Sequence, residues 1–389
     1  ACDEALDTGG ELALLAGEYA ESRDRRLHSD EPSTSAEVEK AKRRELVPLA
    51  AAIAFGDHLD EPVERILAAA DEPQVPARVR GGDVAHLRTA LETLRKSDRR
   101  TGGGAVRHQA VAALRWATAL QDSSCTPAVR QELVETTAQL ATCSAWVTFD
   151  AGRHEPARQL SLLGLRAARE SGNPGIRANV ASSLARQEIH VSNWAGGLEL
   201  IQLAFTANNA LTSNEIADLH TVNALAYARK LDTEQCLQCI GAAIDTYRPD
   251  SISNDPPWLS YLTPTQFERD LAFARYDLLL GGADVGDRAA HRLALIECFS
   301  TAFRQYPVDR VRSKAIIAAK LATLLYPEGE RRLAHQMAED AITLAGQVRS
   351  ARLTDDLRVL LRAFPPTDHA DEYDRDLRQR LSVVLAEMT

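Results

Sequence analysis

Apolar residues recur at spacings of three and four along most of the chain, which is the period of an amphipathic helix. Two stretches that show this spacing are Ala157, Leu160, Gly164 and Ala167, and Leu353, Leu357, Leu360 and Leu361. Between residues 127 and 389, such segments alternate with Gly, Pro, Asn or Asp, which interrupt helices. No stretch alternates β-branched and aromatic residues at period two, and no Asn-Gly or Asp-Gly turn occurs. The pattern predicts an all-α protein.

The predicted helices come in pairs, and the second helix of each pair repeats a spacing of small residues. A small residue is followed by an apolar or small one four positions later and a small one seven positions later. This anchor occurs at Ala157-Ser161-Gly164, Gly197-Ile201-Ala204, Cys236-Ile240-Ala243 and Ala334-Ala338-Ala341, with a weaker version at Ala290-Ala294-Glu297. Small residues let stacked helix pairs approach closely. We therefore predict a right-handed solenoid of helical hairpins that resembles tetratricopeptide repeats, although the intervals of 40, 39, 54 and 44 residues exceed the usual period.

The chain is expected to have three parts. Residues 1–82 are predicted to hold N-terminal helices, at 6–19, 36–55 and 60–70, and a polar linker at 21–35. Residues 83–126 are predicted to form a helix pair, at 83–98 and 105–121, that packs on the array. The array occupies residues 127–389 and ends in a capping helix that contains Leu377, Leu381 and Leu385. A proline-bounded insert at 250–261 interrupts it.

Charge and composition argue against several classes of function. A net charge of −10 argues against binding of this chain alone to a nucleic-acid backbone. The longest run without charge, residues 200–214, is too short to span a bilayer. Six cysteines in 389 residues do not form a disulfide framework, which favours reduced thiols and a cytoplasmic protein. Frequent alanine with few lysines is typical of a GC-rich, actinobacterial genome.

The motifs that could carry chemistry have structural interpretations that we favour. Cys236-x2-Cys239 lacks the further ligands of a zinc site and is predicted to pack inside a helix, with redox or metal binding as the alternative. Gly102–Gly104 is predicted to be a flexible connection rather than a phosphate cradle. Asp150, Arg153 and His154 surround Gly152 and are interpreted as cap and turn residues. No catalytic set is evident, so we predict a non-enzymatic protein without cofactor or metal.

The concave groove of the array is the predicted binding site. Counted back from the anchors, the groove positions are Asn179, Ser182, Arg186 and His190 in the second unit and Asp218, Thr221, Leu225 and Arg229 in the third. Their polar character favours a ligand with a polar backbone or a carboxylate, although a merely solvated face is the alternative. Arg186 is predicted to anchor ligand charge and Asn179 to hydrogen-bond its backbone, so that Arg186→Ala weakens binding without lowering the melting temperature. Trp258 and Tyr261 either cap the groove or plug the solenoid.

Several stretches resemble one family, the actinobacterial regulators in which a helix-turn-helix of the lambda-repressor type precedes a tetratricopeptide-like domain. The stretches are Ala5-Leu6-Asp7-Thr8-Gly9-Gly10, Gly102-Gly103-Gly104, Trp146 with Phe149 to His154, Pro256 to Tyr261, and Arg349-Ser350-Ala351-Arg352. In that family the first stretch lies just past the DNA-binding domain, so we expect the helix-turn-helix to be absent from this chain.

The resemblance implies a regulator of development or secondary metabolism whose repeat domain dimerises and senses a signal. The layout is also similar to peptide-pheromone receptors, so the expected partner is a peptide, a small-molecule signal or a protein in the groove. DNA is contacted only through the missing helix-turn-helix. The alternative is a scaffold or co-regulator that binds a protein partner without any DNA-binding domain of its own.

Overall fold

A computed structural model describes residues 75–364 and 370–388 of the chain, and these residues contain no β-strand. The all-α prediction is therefore confirmed for this part of the protein. The predicted helices at 6–19, 36–55 and 60–70, the linker at 21–35 and the stretch from Ala5 to Gly10 lie outside the described residues. No helix in the two described ranges is both long enough and apolar enough to cross a membrane.

The described chain folds into fourteen α-helices that pack mainly against their neighbours in sequence. In chain order they are α1 (Gly81–Thr101), α2 (Gly103–Leu120), α3 (Pro127–Asp150), α4 (His154–Glu170), α5 (Pro174–His190), α6 (Trp194–Phe205), α7 (Ser213–Arg229), α8 (Thr233–Thr246), α9 (Pro264–Gly281), α10 (Arg288–Gln305), α11 (Val311–Leu325), α12 (Arg331–Ala345), α13 (Ala351–Ala363) and α14 (Glu372–Glu387). The predicted helices at 83–98 and 105–121 correspond to α1 and α2.

Local sequence explains where the helices begin. Thr126, Asn173 and Thr263 each accept a hydrogen bond from a first-turn N–H, and proline follows each of them. This combination is favourable because proline has no N–H to leave unsatisfied at the first helical position. Thr212 starts α7 with a capping box in which Glu215 bonds back to the Thr212 N–H. The odd-numbered helices α3, α5, α7 and α9 therefore have side-chain caps encoded in the sequence.

The anchor pattern holds in four of the five predicted helices. Its members are buried in α4, α6, α8 and α12. The weaker anchor in α10 is wrong, because Ala290, Ala294 and Glu297 are exposed. The buried positions of α10 are Leu295, Phe299 and Ala302, which keep the same spacing in a register five residues later. Large side chains fill that interface instead of small ones. The predicted capping helix is found as α14, with Leu377, Leu381 and Leu385 buried.

The two ends of the array meet. Helix α11 packs on α1, and α13 packs on α3, although these partners are separated by most of the chain. Arg312 of α11 hydrogen-bonds Asp98 of α1 and Asp150 of α3, which fixes this contact. The helix pairs therefore form a closed ring rather than an open groove. We call the contact of α1 and α3 with α11 and α13 the seam.

Candidate functional site

The inner helices of the ring line a cavity of about 1150 Å³ that is partly open to solvent. Every helical residue that borders it belongs to an odd-numbered helix, whereas the even-numbered helices form the outer layer of the described chain. A few loop residues complete the wall, among them Trp258, Tyr261 and Arg310. The first helix of each pair therefore faces inward, as the sequence predicted for α5 and α7, but the space it faces is the interior of the ring.

The cavity wall is basic although the chain is acidic. Eleven arginine and lysine side chains border the cavity against five aspartates and no glutamate. The chain as a whole carries a net charge of −10. Concave surfaces of one sign concentrate the electric field and attract the opposite charge. The interior is therefore suited to an anionic molecule.

Seven of the nine predicted binding residues border the cavity: Asn179, Ser182, Arg186, His190, Arg229, Trp258 and Tyr261. The other two, Asp218 and Thr221, do not border it. Thr221 is buried and donates its hydroxyl hydrogen bond to the carbonyl oxygen of Asp218 at 2.8 Å. Asp218 lies behind Arg186, which covers its carboxylate. Helix spacing therefore does not predict which residues line the cavity where a side chain of one helix, here Arg186 of α5, covers a residue of the next, here Asp218 of α7.

Arg186 is occupied by a partner within the protein. Its Nη2 donates to Oδ1 of Asp218 at 2.6 Å, and the hydroxyl of Tyr261 donates to Oδ2 of the same carboxylate at 2.9 Å. Burial opposes the charge of Arg186, but Asp218 and Tyr261 raise its pKa above the usual range. We therefore expect Arg186→Ala to lower stability, contrary to the prediction from the sequence, because the substitution would leave the buried carboxylate of Asp218 without its charged partner.

Trp258 and Tyr261 fix the insert to the wall. The indole N–H of Trp258 donates to Oε1 of Glu215 at 3.0 Å, and its ring lies against Gly175, where a Cβ would come within 3.2 Å. Tyr261 uses its hydroxyl on Asp218. Since both polar atoms are already bonded inside the protein, the geometry favours the plugging interpretation over that of free aromatic anchors.

Asp150 is the centre of the seam. Its fully buried carboxylate accepts four hydrogen bonds, from Arg312 at 2.7 Å, Arg352 at 2.8 Å, Ser350 at 2.7 Å and the N–H of Gly103 at 2.9 Å. Burial alone would raise the pKa of Asp150, but the two arginines and the Gly103 N–H hold it well below its usual range. Gly152 has the predicted left-handed φ of 76°. Asp150 therefore does more than cap a turn, because it joins three distant segments.

The glycine run belongs to the same contact. A Cβ on Gly103 would lie 2.5 Å from the carbonyl oxygen of Val147, and one on Gly102 would lie 2.6 Å from that of Arg349. The N–H of Gly104 donates to the Arg349 carbonyl at 3.3 Å. The predicted flexible connection is therefore a tightly packed one. Three stretches that carry the family resemblance, around residues 102–104, 146–154 and 349–352, meet at the seam.

Further ion pairs link neighbouring inner helices. His190 of α5 and Asp355 of α13 are joined across the ring by a 3.0 Å contact between Nε2 and Oδ2. Lys320 bonds Asp356 at 2.6 Å and lies 4.2 Å from the ring centroid of Tyr276. Most charges on the wall are therefore paired within the protein.

Cys236 and Cys239 are buried in α8, and both are free thiols. Burial raises the pKa of Cys236 to about 12 and that of Cys239 to about 11, which makes these thiols poor nucleophiles and poor metal ligands. The packing interpretation of this pair agrees with its geometry.

Ligand atoms of His335, Asp371 and Asp374 lie within 4.8 Å of one another, which resembles a metal-binding cluster. However, Arg331 already forms an ion pair with Asp374, and Asp374 and Asp371 bond each other's backbone N–H groups at the start of α14. The cluster acts as a helix cap.

Sequence reasoning missed most of the cavity arginines, among them Arg95, Arg99 and Arg310. Arg95 and Arg99 lie in a helix pair that was placed outside the array, and Arg310 lies in a short loop. A hint was available in Arg95 and Arg99 themselves, because their spacing of four puts both on one face of α1. A comparison of the chain with models of protein families finds no match, and neither does a comparison with curated protein sequences.

Proposed function

We propose that this chain is a ligand-binding module: the signal-sensing domain of a bacterial transcriptional regulator, with no catalytic role. The observation that carries the proposal is the large, basic cavity inside an acidic chain. Its volume of about 1150 Å³ lies just above the roughly 300–1,000 Å³ that small-molecule sites usually occupy. The regulator role rests on the family resemblance of the stretches that meet at the seam.

Unused polar groups in the wall support a ligand. The hydroxyl oxygen of Ser182 is buried, borders the cavity and has no hydrogen-bond partner among the described residues. A buried polar atom without a partner costs about 1–3 kcal/mol, and a ligand group can recover this cost. Asn179 lies one helical turn earlier on the same wall. These two residues are the positions where we place hydrogen bonds to the ligand.

The proposed mechanism is a shift between a closed and an open ring. A ligand that contacts helices on both sides of the seam favours the closed state in proportion to its difference in affinity for the two states. In a dimer, this change would alter the spacing of two attached DNA-binding domains. The tetratricopeptide-like character of the repeats, their right-handed course, the homodimer and the cytoplasmic location are parts of this proposal.

A scaffold function is the second candidate, and the outer surface favours it. Leu237 and Ile244 lie two turns apart on α8 and are 45% and 49% exposed, and Leu293 on α10 is 57% exposed. Leu237 and Ile244 share one face of α8, and contiguous exposed apolar surface is typical of protein-interaction sites. In this candidate the partner binds outside the ring and the cavity stays empty.

Native mass spectrometry of the purified chain separates the two candidates. The sensor proposal predicts an added small-molecule mass that denaturation releases. Ser183 borders the cavity, so Ser183→Trp would fill part of it and abolish the added mass. Ser382→Trp on the exposed face of α14 is the matched control and should keep it. An added mass that survives Ser183→Trp, or a chain that binds only a protein through α8, would refute the sensor proposal.

A further inference from the structure

Three arginines beside the seam differ from most of the other charges of the cavity. Arg95 and Arg99 lie one turn apart on α1, and Arg310 immediately precedes α11. All three border the cavity and are partly buried. Because α1 and α11 pack together, and Asp98 bonds Arg312 between them at 2.8 Å, Arg99 and Arg310 lie next to the contact that closes the ring.

These arginines have no acidic partner in hydrogen-bonding range. Among the described residues, no hydrogen bond or ion pair joins Arg99 or Arg310 to a carboxylate, and Arg95 bonds only the neutral Gln139, at 3.4 Å. By contrast, Arg186, Arg229, Arg269 and Arg312 on the same wall each pair with an aspartate. The three arginines thus form a positive cluster that no carboxylate of the described residues contacts directly.

The electrostatics of the cluster agree with this geometry. Burial and then the neighbouring Arg99 lower the pKa of Arg310, while Tyr306 and the exposed Asp309 oppose the shift. Burial is also the largest cause that lowers the pKa of Arg95, with Arg99 adding to it. The positive charges therefore repel one another across the seam.

The start of α11 adds partial positive charge at the same place. This helix has 15 residues, and its N-cap, Arg310, provides no side-chain acceptor for the first-turn N–H groups. Ser313 of the first turn borders the cavity. Uncapped N–H groups at a helix start favour a nearby anion. The helix start strengthens a cluster that already exists in the arginine side chains.

We propose that Arg99 and Arg310 together bind one oxyanion, a phosphate or carboxylate group of the cavity's ligand, with Arg95 beside it. This inference rests on the proposed function and names the ligand's chemical class. Guanidinium groups suit it because their paired N–H donors match the oxygens of either anion.

The position of the cluster also links binding to ring closure. An oxyanion reaches Arg99 on α1 and Arg310 before α11 only when these two elements are packed together. Binding replaces the repulsion between the two guanidinium groups with attraction of both to the anion. The anion therefore binds the closed ring more tightly than an open one, which is the difference in affinity that a population shift requires.

Isothermal titration calorimetry of the full chain with two probes, pyrophosphate and citrate, tests the site at constant ionic strength. We expect at least one probe to bind with a stoichiometry of one. Arg99→Gln and Arg310→Gln should each weaken binding about tenfold or more, which corresponds to about 1.4 kcal/mol. Arg100→Gln is the matched control, because Arg100 is the next residue of α1 but is exposed and outside the cavity. The tighter probe identifies the oxyanion as phosphate or carboxylate.

Unfolding without a probe separates a binding role from a structural one. Since Arg99 and Arg310 repel each other in the ligand-free protein, Arg99→Gln and Arg310→Gln should keep or raise the midpoint of unfolding. Pyrophosphate or citrate, whichever binds, should raise the midpoint of the original chain and of Arg100→Gln only. A lowered midpoint in the two variants, or probe binding equal to that of the control, would overturn the inference.

Failure of this inference is distinguishable from failure of the proposed function. If neither probe binds but native mass spectrometry finds an uncharged molecule released from the cavity, the anion site is refuted and the sensor proposal stands. If neither probe binds and no small molecule is found, both are refuted.

Discussion

The sharpest consequence of the closed ring concerns Arg312. This side chain makes two parallel hydrogen bonds to Asp98, at 2.8 and 2.9 Å, and one to Asp150 at 2.7 Å. Burial opposes its charge, but Asp150 and Asp98 raise its pKa above the usual range. Methionine has a similar length and no charge, so Arg312→Met removes the ion pairs while it fills much of the same space.

The expected cost follows from what the substitution leaves behind. Asp150 is fully buried and keeps Arg352 and Ser350 as partners, whereas Asp98, which is 7% exposed, loses its charged partner. Removing one member of a buried ion pair typically costs about 3–5 kcal/mol. We therefore expect the free energy of unfolding to fall by about 3–5 kcal/mol.

Urea unfolding followed by circular dichroism measures this loss, and small-angle X-ray scattering measures whether the ring opens. Arg166→Met is the matched control, because Arg166 forms an exposed i,i+4 pair with Glu170 that should contribute about 0.5 kcal/mol or less. We expect Arg312→Met to lose stability and to show a larger radius of gyration. If it matched the control in both measurements, the seam would not be held by this network and the closed ring would be in doubt.

Three further outcomes follow from the same contacts. Gly103→Ala should destabilise the protein by about 1–3 kcal/mol in urea unfolding, because its Cβ would lie 2.5 Å from a backbone oxygen. The control Gly241→Ala places its Cβ in open space and should be neutral or slightly stabilising, so equal effects of the two substitutions would contradict the tight packing. Arg186→Ala should lower the free energy of unfolding by about 3–5 kcal/mol, since it strands the buried Asp218, and an unchanged midpoint would show that the pair is dispensable. The pKa of Asp150 is lower in the folded chain than the unfolded value of about 3.9, so ionised Asp150 contributes to the free energy of unfolding above that pH, and this contribution is lost as the pH falls toward the folded pKa. A plot of the free energy of unfolding against pH should therefore be flatter below about pH 4 in Asp150→Asn than in the original chain. Identical plots would refute this prediction.

The repeat architecture could be predicted because its signals are local. Spacings of three and four reveal each helix, and side chains such as Thr126 and Asn173 mark the starts. The anchor pattern failed in α10 because it searched for small residues, and that interface is filled by Leu295 and Phe299 instead. Exposed alanines of the same helix matched the pattern by chance, because alanine is frequent in this chain.

The seam and the anion site could not be predicted in this way. Arg312 and Asp150 are 162 residues apart, and no local pattern determines which carboxylate a given arginine meets. The register of α5 and α7 did place most groove residues correctly, since side-chain direction follows from helix geometry. It could not show that Arg186 is already paired or that Arg99 and Arg310 become neighbours, because both facts depend on how the ring closes.

A crystal structure of the chain grown with pyrophosphate would test the central claim most directly. The account predicts a closed ring with Arg312 bonded to Asp98 and Asp150, and an anion in the cavity in contact with Arg99 and Arg310. An open array in which α1 and α11 are apart, or a closed ring whose anion lies away from both arginines, would contradict it.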